Sequence, residues 1–271
     1  MIRLMVQEAR LQVDLGNSED ALQVAERALW STQNRRIFGV HPQSLVLSLN
    51  AVAFTALSCG NYKRALDAAK EGCDIYASPV HLQHELTGED EFVRPSLLAL
   101  LSSAVANLGR SSTALEYAKR AVEVSLDIRD KKSDISATTA EWSYMETRGN
   151  LAEIFIATGD LAQARQICEE RRAYFSKRVE TRMGDYRELA PILRMLGILC
   201  CSEGHHEEGD IAAQELYRIL TTLGIAFPSL QEQVKIRLRS RAKAPILQVF
   251  NAMCEKLDCK HQREVSTLLA I

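Results

Sequence analysis

The residue types of a metal site occur in one short stretch, Cys200-Cys201-Ser202-Glu203-Gly204-His205-His206. Thiolate and imidazole are the ligands that a tetrahedral zinc ion takes. A structural zinc site usually draws its thiolates from spaced Cys-x-x-Cys pairs, and the chain has none. Cys200 falls at a helix-packing position while the histidines fall in a turn, so the stretch reads as structural thiols beside exposed histidines. Cys254, Cys259 and His261 form a second cluster of the same weak kind. The adjacent carboxylates Glu169-Glu170 and Glu207-Glu208 sit on helical segments, where neighbours point to different sides and make poor acid–base pairs. There is no Gly-rich phosphate loop, no G-x-S-x-G elbow and no H-E-x-x-H pair. The reading is a non-enzyme with no metal and no cofactor.

The elements that carry these residues are helical hairpins, and the hairpins repeat. Around Gly60-Asn61-Tyr62-Lys63-Arg64-Ala65 an apolar helical run stops and a second helix begins at once, carrying Ala65, Ala69 and Gly72. The same punctuation returns at Gly16 (then Ala21, Ala25, Ala28), Gly109 (Ala114, Ala118, Ala121), Gly159 (Ala164, Cys168, Arg171) and Gly204 (Gly209, Ala213, Leu216). Seven residues before each turn glycine stands another small residue: Ala9, Ala53, Ser102, Ala152 and Gly197. Small side chains at these points let two helices approach closely, so the chain reads as an array of helix pairs.

Composition agrees with such an array. Of 271 residues, 46% are hydrophobic and 25% charged, enough for a core, while only six prolines and 6% aromatics argue against disorder and against a β-rich fold. A net charge of -2 gives no global pull towards nucleic acid or an anionic membrane. No apolar run reaches the roughly 20 residues of a membrane span. The N-terminal Met1-Ile2-Arg3-Leu4-Met5-Val6-Gln7-Glu8 is helix-like rather than a signal peptide, and reads as a start inside a helix, as in a piece of a longer protein. Seven scattered cysteines then suit reduced, buried thiols in the cytoplasm.

Periodicity and caps place hairpins near 2–33, 43–76, 96–129, 135–182 and 186–223, making a repeat array over 1–224. Asn17 or Ser18 can cap the second helix of the first pair. A long connector is expected from Ala77 to Pro95, with two prolines, Gly88 and the run Glu89-Asp90-Glu91. Gly224, Pro228 and the capping pattern Ser229-Leu230-Gln231-Glu232 open a C-terminal helical cap over 225–271.

These motifs resemble tetratricopeptide (TPR) repeats. The matching residues are Ala53, Gly60, Tyr62, Ala65 and Ala69; Ser102, Gly109, Ala114, Ala118 and Ala121; and Ala152, Gly159, Asp160 and Ala164. Gly197 and Gly204 match in the fifth copy, where Gly209 replaces the usual Ala. The copies lie 44, 49, 50 and 45 residues apart, glycine to glycine, against the family's 34. This lengthening is similar to that of kinesin light chain and of sensor arrays on signalling NTPases of the STAND class. Arg94-Pro95-Ser96-Leu97-Leu98-Ala99-Leu100-Leu101 with Leu115-Glu116-Tyr117-Ala118-Lys119-Arg120-Ala121-Val122 looks like the latter. The resemblance implies an all-α, right-handed α-solenoid of about five TPR-like hairpins with a helical C-terminal cap.

It also implies a non-catalytic scaffold that binds a peptide or protein segment in a concave groove lined by the first helix of each pair. By register, Arg10, Asn50, Phe54, Ser103, Asn107, Glu146, Glu153 and Arg194 would face that groove, with Arg3 and Asp14 at its start. The family's carboxylate clamp for chaperone tails needs Lys and Asn, and its positions here hold Val6, Arg10, Ala51, Ser96 and Leu100. Two alternatives stand beside the groove. One is a ligand-sensing arm of a larger STAND-type NTPase, with 77–95 as the responsive loop. The other is binding of nucleic acid or an acidic partner through Lys235, Arg237, Arg239, Arg241 and Lys243, residues that would otherwise form a solvated cap surface. The overall charge argues against nucleic acid. Oligomeric state is left open by the sequence.

Overall fold

The computed structural model describes residues 1–14, 16–34, 42–77, 91–131, 136–181 and 186–222. The expected cap over 225–271, with its basic residues and Cys254, Cys259 and His261, lies outside the described residues, as does most of the connector after Ala77. The fold is an all-α helical-repeat solenoid. Among the described residues there are α1 (Ile2–Asp14), α2 (Ser18–Asn34), α3 (Pro42–Ser58), α4 (Tyr62–Ala77), α5 (Val93–Asn107), α6 (Ser111–Lys131), α7 (Ser136–Thr158), α8 (Leu161–Thr181), α9 (Tyr186–Glu203) and α10 (His206–Thr222). The chain divides into two compact units, Met1–Thr158 and Gly159–Ile271.

One turn makes each hairpin. The amide of Gly16 donates to Val13 O and that of Asn17 to Gln12 O, the paired bonds that close a helix C-terminus on a left-handed residue. The same pair recurs at Gly60 (to Leu57 O) with Asn61 (to Ala56 O), and at Gly109 (to Ala106 O) with Arg110 (to Val105 O). Gly60 has φ 72° and Gly109 φ 79°, where a Cβ would cost about 1–2 kcal/mol. The residue after each glycine immediately starts the next helix, since Asn17, Asn61 and Arg110 accept from Ala21, Ala65 and Ala114. Asn61 adds a side-chain cap, its Oδ1 accepting from the Arg64 amide at 3.2 Å. Asn17 instead starts α2 with its backbone and turns its Nδ2 to Gln12 Oε1.

In the first unit each helix packs on its chain neighbours, and the first helices also pack side by side, α1 on α3, α3 on α5 and α5 on α7. The alanines of the second helices are fully buried: Ala21, Ala25 and Ala28 in α2, Ala65 and Ala69 in α4, Ala114, Ala118 and Ala121 in α6. At Gly72 the approach is close, because an added Cβ would sit 2.8 Å from Leu97 Cδ1. Helix α5 starts earlier than the prolines suggest. Pro95 lies in its first turn, where a missing N–H leaves no bond unmade.

The junctions between successive hairpins alternate in chemistry at one register position. Thr32 Oγ1 on α2 meets Ser48 Oγ on α3 at 3.0 Å, and Ser125 Oγ on α6 meets Thr147 Oγ1 on α7 at 2.7 Å, both pairs buried. The equivalent positions of the junction between them hold Tyr76 and Leu97, also buried.

In the second unit α8 packs on α9 and α9 on α10. Asp160 starts α8, its Oδ1 accepting from the Gln163 amide at 3.3 Å. Phe175, Leu193, Leu199 and Leu216 are fully buried. No helix among the described residues is long and apolar enough to cross a membrane.

Candidate binding face

The row of first helices in the first unit is cross-linked by polar side chains. Arg10 Nη2 on α1 donates to Asn50 Oδ1 on α3 at 3.1 Å, and Asn50 Nδ2 donates to Ser96 Oγ on α5 at 2.9 Å. One amide thus ties three helices together. Further along, Asn150 Nδ2 on α7 donates to Ser103 Oγ on α5 at 2.7 Å. Such bonds contribute about 1 kcal/mol each, and leaving their buried partners unmatched costs more.

This network corrects the sequence reading of Asn50. Asn50 is only 1% exposed, with both halves of its amide engaged, so it links the hairpins instead of presenting itself to solvent. A polar residue among apolar neighbours reads as a groove residue, although its partners on α1 and α5 satisfy it in the interior. Arg10 is exposed along its length and joined to Asn50 at its tip. Phe54 and Ser103 are half-buried, and Asn107 is exposed, donating to the Ser103 carbonyl at 2.8 Å. Glu146 is half-buried and Glu153 exposed on α7, and Arg3 is exposed on α1. The side chain of Asp14 lies outside the described residues. Arg194 is half-buried on α9, in the second unit. The first unit therefore brings Arg3 and Arg10 to one end of a helix row, Phe54 and Asn107 to its middle, and Glu146 and Glu153 to the other end. Of the far partners in the network, Ser96 enters the sequence analysis as a clamp position and Asn150 not at all. Their signal is the same as that of Asn50, a hydrogen-bonding side chain on a first helix.

The metal-like stretch has a different occupant. Arg165 on α8 donates to Glu203 through Nε at 2.8 Å and through Nη2, and to Glu208 through Nη1 at 2.6 Å. Its Nη2 also lies 3.5 Å from Cys200 Sγ and 3.4 Å from His205 Nδ1. A guanidinium thus stands among the donors that would have held a metal cation. Burial works against the charge, yet hydrogen bonds to Glu203 and Glu208, with Cys200 adding to them, hold Arg165 protonated more firmly than usual. A second cross-helix pair joins Arg172 on α8 to Glu215 on α10. The side chains of Cys201 and His206 lie outside the described residues.

Three of the described thiols are held in the neutral form by burial. Burial pushes Cys73 up to about 11, with Asp74 adding to the shift and Arg94 opposing it. Burial also raises Cys59, helped by Glu19, and raises Cys200 against the pull of Arg165. Each is a neutral thiol near pH 7.

Comparison with known proteins agrees with this architecture. Residues 2–27 and 145–170 match the family model of the tetratricopeptide repeat. Among solved structures, BtubC (BKLC) from P. vanneervenii aligns with TM-score 0.57 at 18% identity, covering 92% of this chain and 92% of that one. Crystal structures of nearly identical TPR-like repeats of a kinesin light chain from Podosopora anserina align with TM-scores of 0.55 and 0.54 at 18% identity, covering 83% of this chain and 97% of those. At that identity the likeness concerns the fold. No curated protein matches the sequence.

Proposed function

We propose that this array of tetratricopeptide-like repeats is a non-catalytic protein-interaction scaffold, and that the first-helix row of its first unit takes a peptide or protein segment. One observation carries the reading. Side chains of opposite charge stand at the two ends of a row of packed helices, with a half-buried aromatic between them: Arg3 and Arg10 on α1, Phe54 on α3, Glu153 on α7. Helix interiors have already consumed their backbone donors and acceptors, so a ligand on this row is held by side chains alone. Phe54 supplies the apolar anchor, while the charged ends orient a segment that is acidic over α1 and basic over α7. The location that goes with this reading is the cytoplasm, a compartment that keeps thiols such as Cys59, Cys73, Cys168 and Cys200 reduced.

The test is selection from a random peptide library on the full chain, followed by affinity measurement on the enriched peptides. The expected consensus has an apolar residue flanked by an acidic and a basic end. Its affinity should fall at least about tenfold on Phe54→Ala and again on Glu153→Lys, with helicity unchanged by circular dichroism. Asn50→Ala is unsuitable as a probe because it removes a structural link. Binders indifferent to both changes would overturn the assignment of the site.

A further inference from the structure

Each first helix in the first unit has two apolar sides. One faces its own hairpin partner, and in α3, α5 and α7 the other faces the hairpin before it. The register position twelve residues before the turn glycine belongs to the second side. At that position Ser48 meets Thr32 of α2, Leu97 closes on the backbone of Gly72 in α4, and Thr147 meets Ser125 of α6. Seven residues further on lie Thr55, Ala104 and Ile154, all buried, and Ala104 packs with Ala56 and Ala65 of the hairpin before it. In the first hairpin the same two positions hold Leu4 and Leu11.

Leu4 is 69% exposed and Leu11 42%, with Met1 beside them one turn earlier. The inward side of α1 is buried in the ordinary way, through Val6 and Ala9. So α1 is apolar on both sides, as an interior first helix is, while the side that α3, α5 and α7 bury against a preceding second helix stands open. The middle of that open side carries one departure. Glu8 occupies the position at which Val52, Leu101 and Leu151 are buried, and a carboxylate covered there needs a donor opposite it.

We propose that this face of α1 is a stacking face for one further helix, of the kind that α2, α4 and α6 present to α3, α5 and α7. The partner is a helix with small or hydroxyl side chains one turn apart, like Ala65, Ala69 and Gly72, and with a cationic or amide side chain opposite Glu8. Three occupied copies of the same surface in this molecule define that chemistry. The contact adds a hairpin to the array by the nearest-neighbour packing that stabilises the rest.

The experiment places such a helix on α1 at high effective concentration. A copy of residues 42–93 is fused directly before Met1 of the full chain, which sets the second copy of α4 in register with α1. Hydrogen exchange of the α1 amides should slow at least about tenfold, and urea unfolding should stay a single transition with a higher midpoint. Leu4→Asp with Leu11→Asp should abolish both gains in the fusion while leaving the unextended chain nearly unchanged, because the two residues are exposed there. Glu8→Leu should increase them. The proposal is overturned if the added hairpin unfolds in a separate early transition indifferent to these changes. It is equally overturned, in favour of a second copy as the occupant, if the unextended chain sediments as a dimer that Leu4→Asp with Leu11→Asp dissociates.

Discussion

Two junctions in the first unit solve the same packing problem with different balances of hydrogen bonding and volume. Between the first and second hairpins the contacts are directional: Thr32 with Ser48, Arg10 with Asn50, and Arg64 with both oxygens of Glu26 at 2.6 and 2.9 Å. Between the second and third, one amide bond, Asn50 to Ser96 at 2.9 Å, stands beside a contact made chiefly of volume. Leu97 closes over Gly72, and Ala104 packs with Ala56 and Ala65. Hydrogen bonds fix which residue stands opposite which, because a slip of one residue leaves buried hydroxyls unmatched. Apolar packing contributes more free energy per side chain but discriminates only by shape. The array therefore draws much of its stability from one junction and much of its register from the other.

Truncating the volume contact should show the largest effect. Leu97 is fully buried against a glycine, so the surroundings have little with which to refill a void. Leu97→Ala should cost about 3 kcal/mol in urea unfolding. Gly72→Ala should also destabilise, despite its better helix propensity, since a methyl there meets both Leu97 methyls within 3.0 Å. A loss below about 1 kcal/mol for Leu97→Ala would break the contrast between the junctions.

Cys73, on the same α4, makes this region sensitive to alkali. Burial pushes its folded pKa up to about 11, above the ordinary thiol value of 9.0. Below pH 9 the thiol is neutral in both states and has no effect on stability. Between about 9 and 11 the unfolded chain releases the proton while the folded one holds it, so stability falls as pH rises. The limit is about 2–3 kcal/mol for a shift of this size. Unfolding midpoints measured from pH 8 to 11 should decline for the wild type and flatten for Cys73→Ala. An equal decline in both would assign the alkaline loss elsewhere.

How much of this could be seen in the sequence depends on the range of the contact. The five turn glycines and the alanines after them mark the hairpins because those demands are local: a left-handed residue, then small side chains one helical turn apart. What links one hairpin to another is not local. Asn50 looks like a surface amide until Arg10, 40 residues earlier, and Ser96, 46 later, are brought to it. The unequal spacing of the copies hides that pairing, since no fixed offset connects the partners. The stretch around Cys200 displayed metal-ligand chemistry in its residue types, but the cation that fills it, Arg165, comes from a helix 38 residues before Glu203. Pro95 misled for a different reason: a proline reads as loop, yet the first turn of a helix accommodates it.

The directional junction can be dissected by a double-mutant cycle. Thr32→Val removes one hydroxyl and leaves Ser48 to its own carbonyl bond with Ser44, at an expected cost of about 1 kcal/mol. Thr32→Val with Ser48→Ala removes both and should be less destabilising than the sum of the two single changes. The coupling between them measures the register term directly. Coupling below about 0.3 kcal/mol would mean that the hydroxyls are merely tolerated in the interface.

The smallest effect should come from Arg64 and Glu26, though their geometry looks the strongest. Both are part-exposed, with 30% and 39% of their side chains accessible, and water weakens the attraction while ordering two long side chains costs entropy. The hydrogen bond to Glu26 is the main reason that Arg64 holds its proton above the usual arginine range, and Asp67 and Glu71 contribute further. The guanidinium is charged in any case at every pH of interest. Glu26→Gln should therefore cost only about 0.5 kcal/mol at low salt, and less in 1 M salt, where the Debye length falls to about 3 Å. A salt-independent loss above about 2 kcal/mol would show that this pair acts as a buried bridge and that the directional junction contributes to stability as strongly as the apolar one.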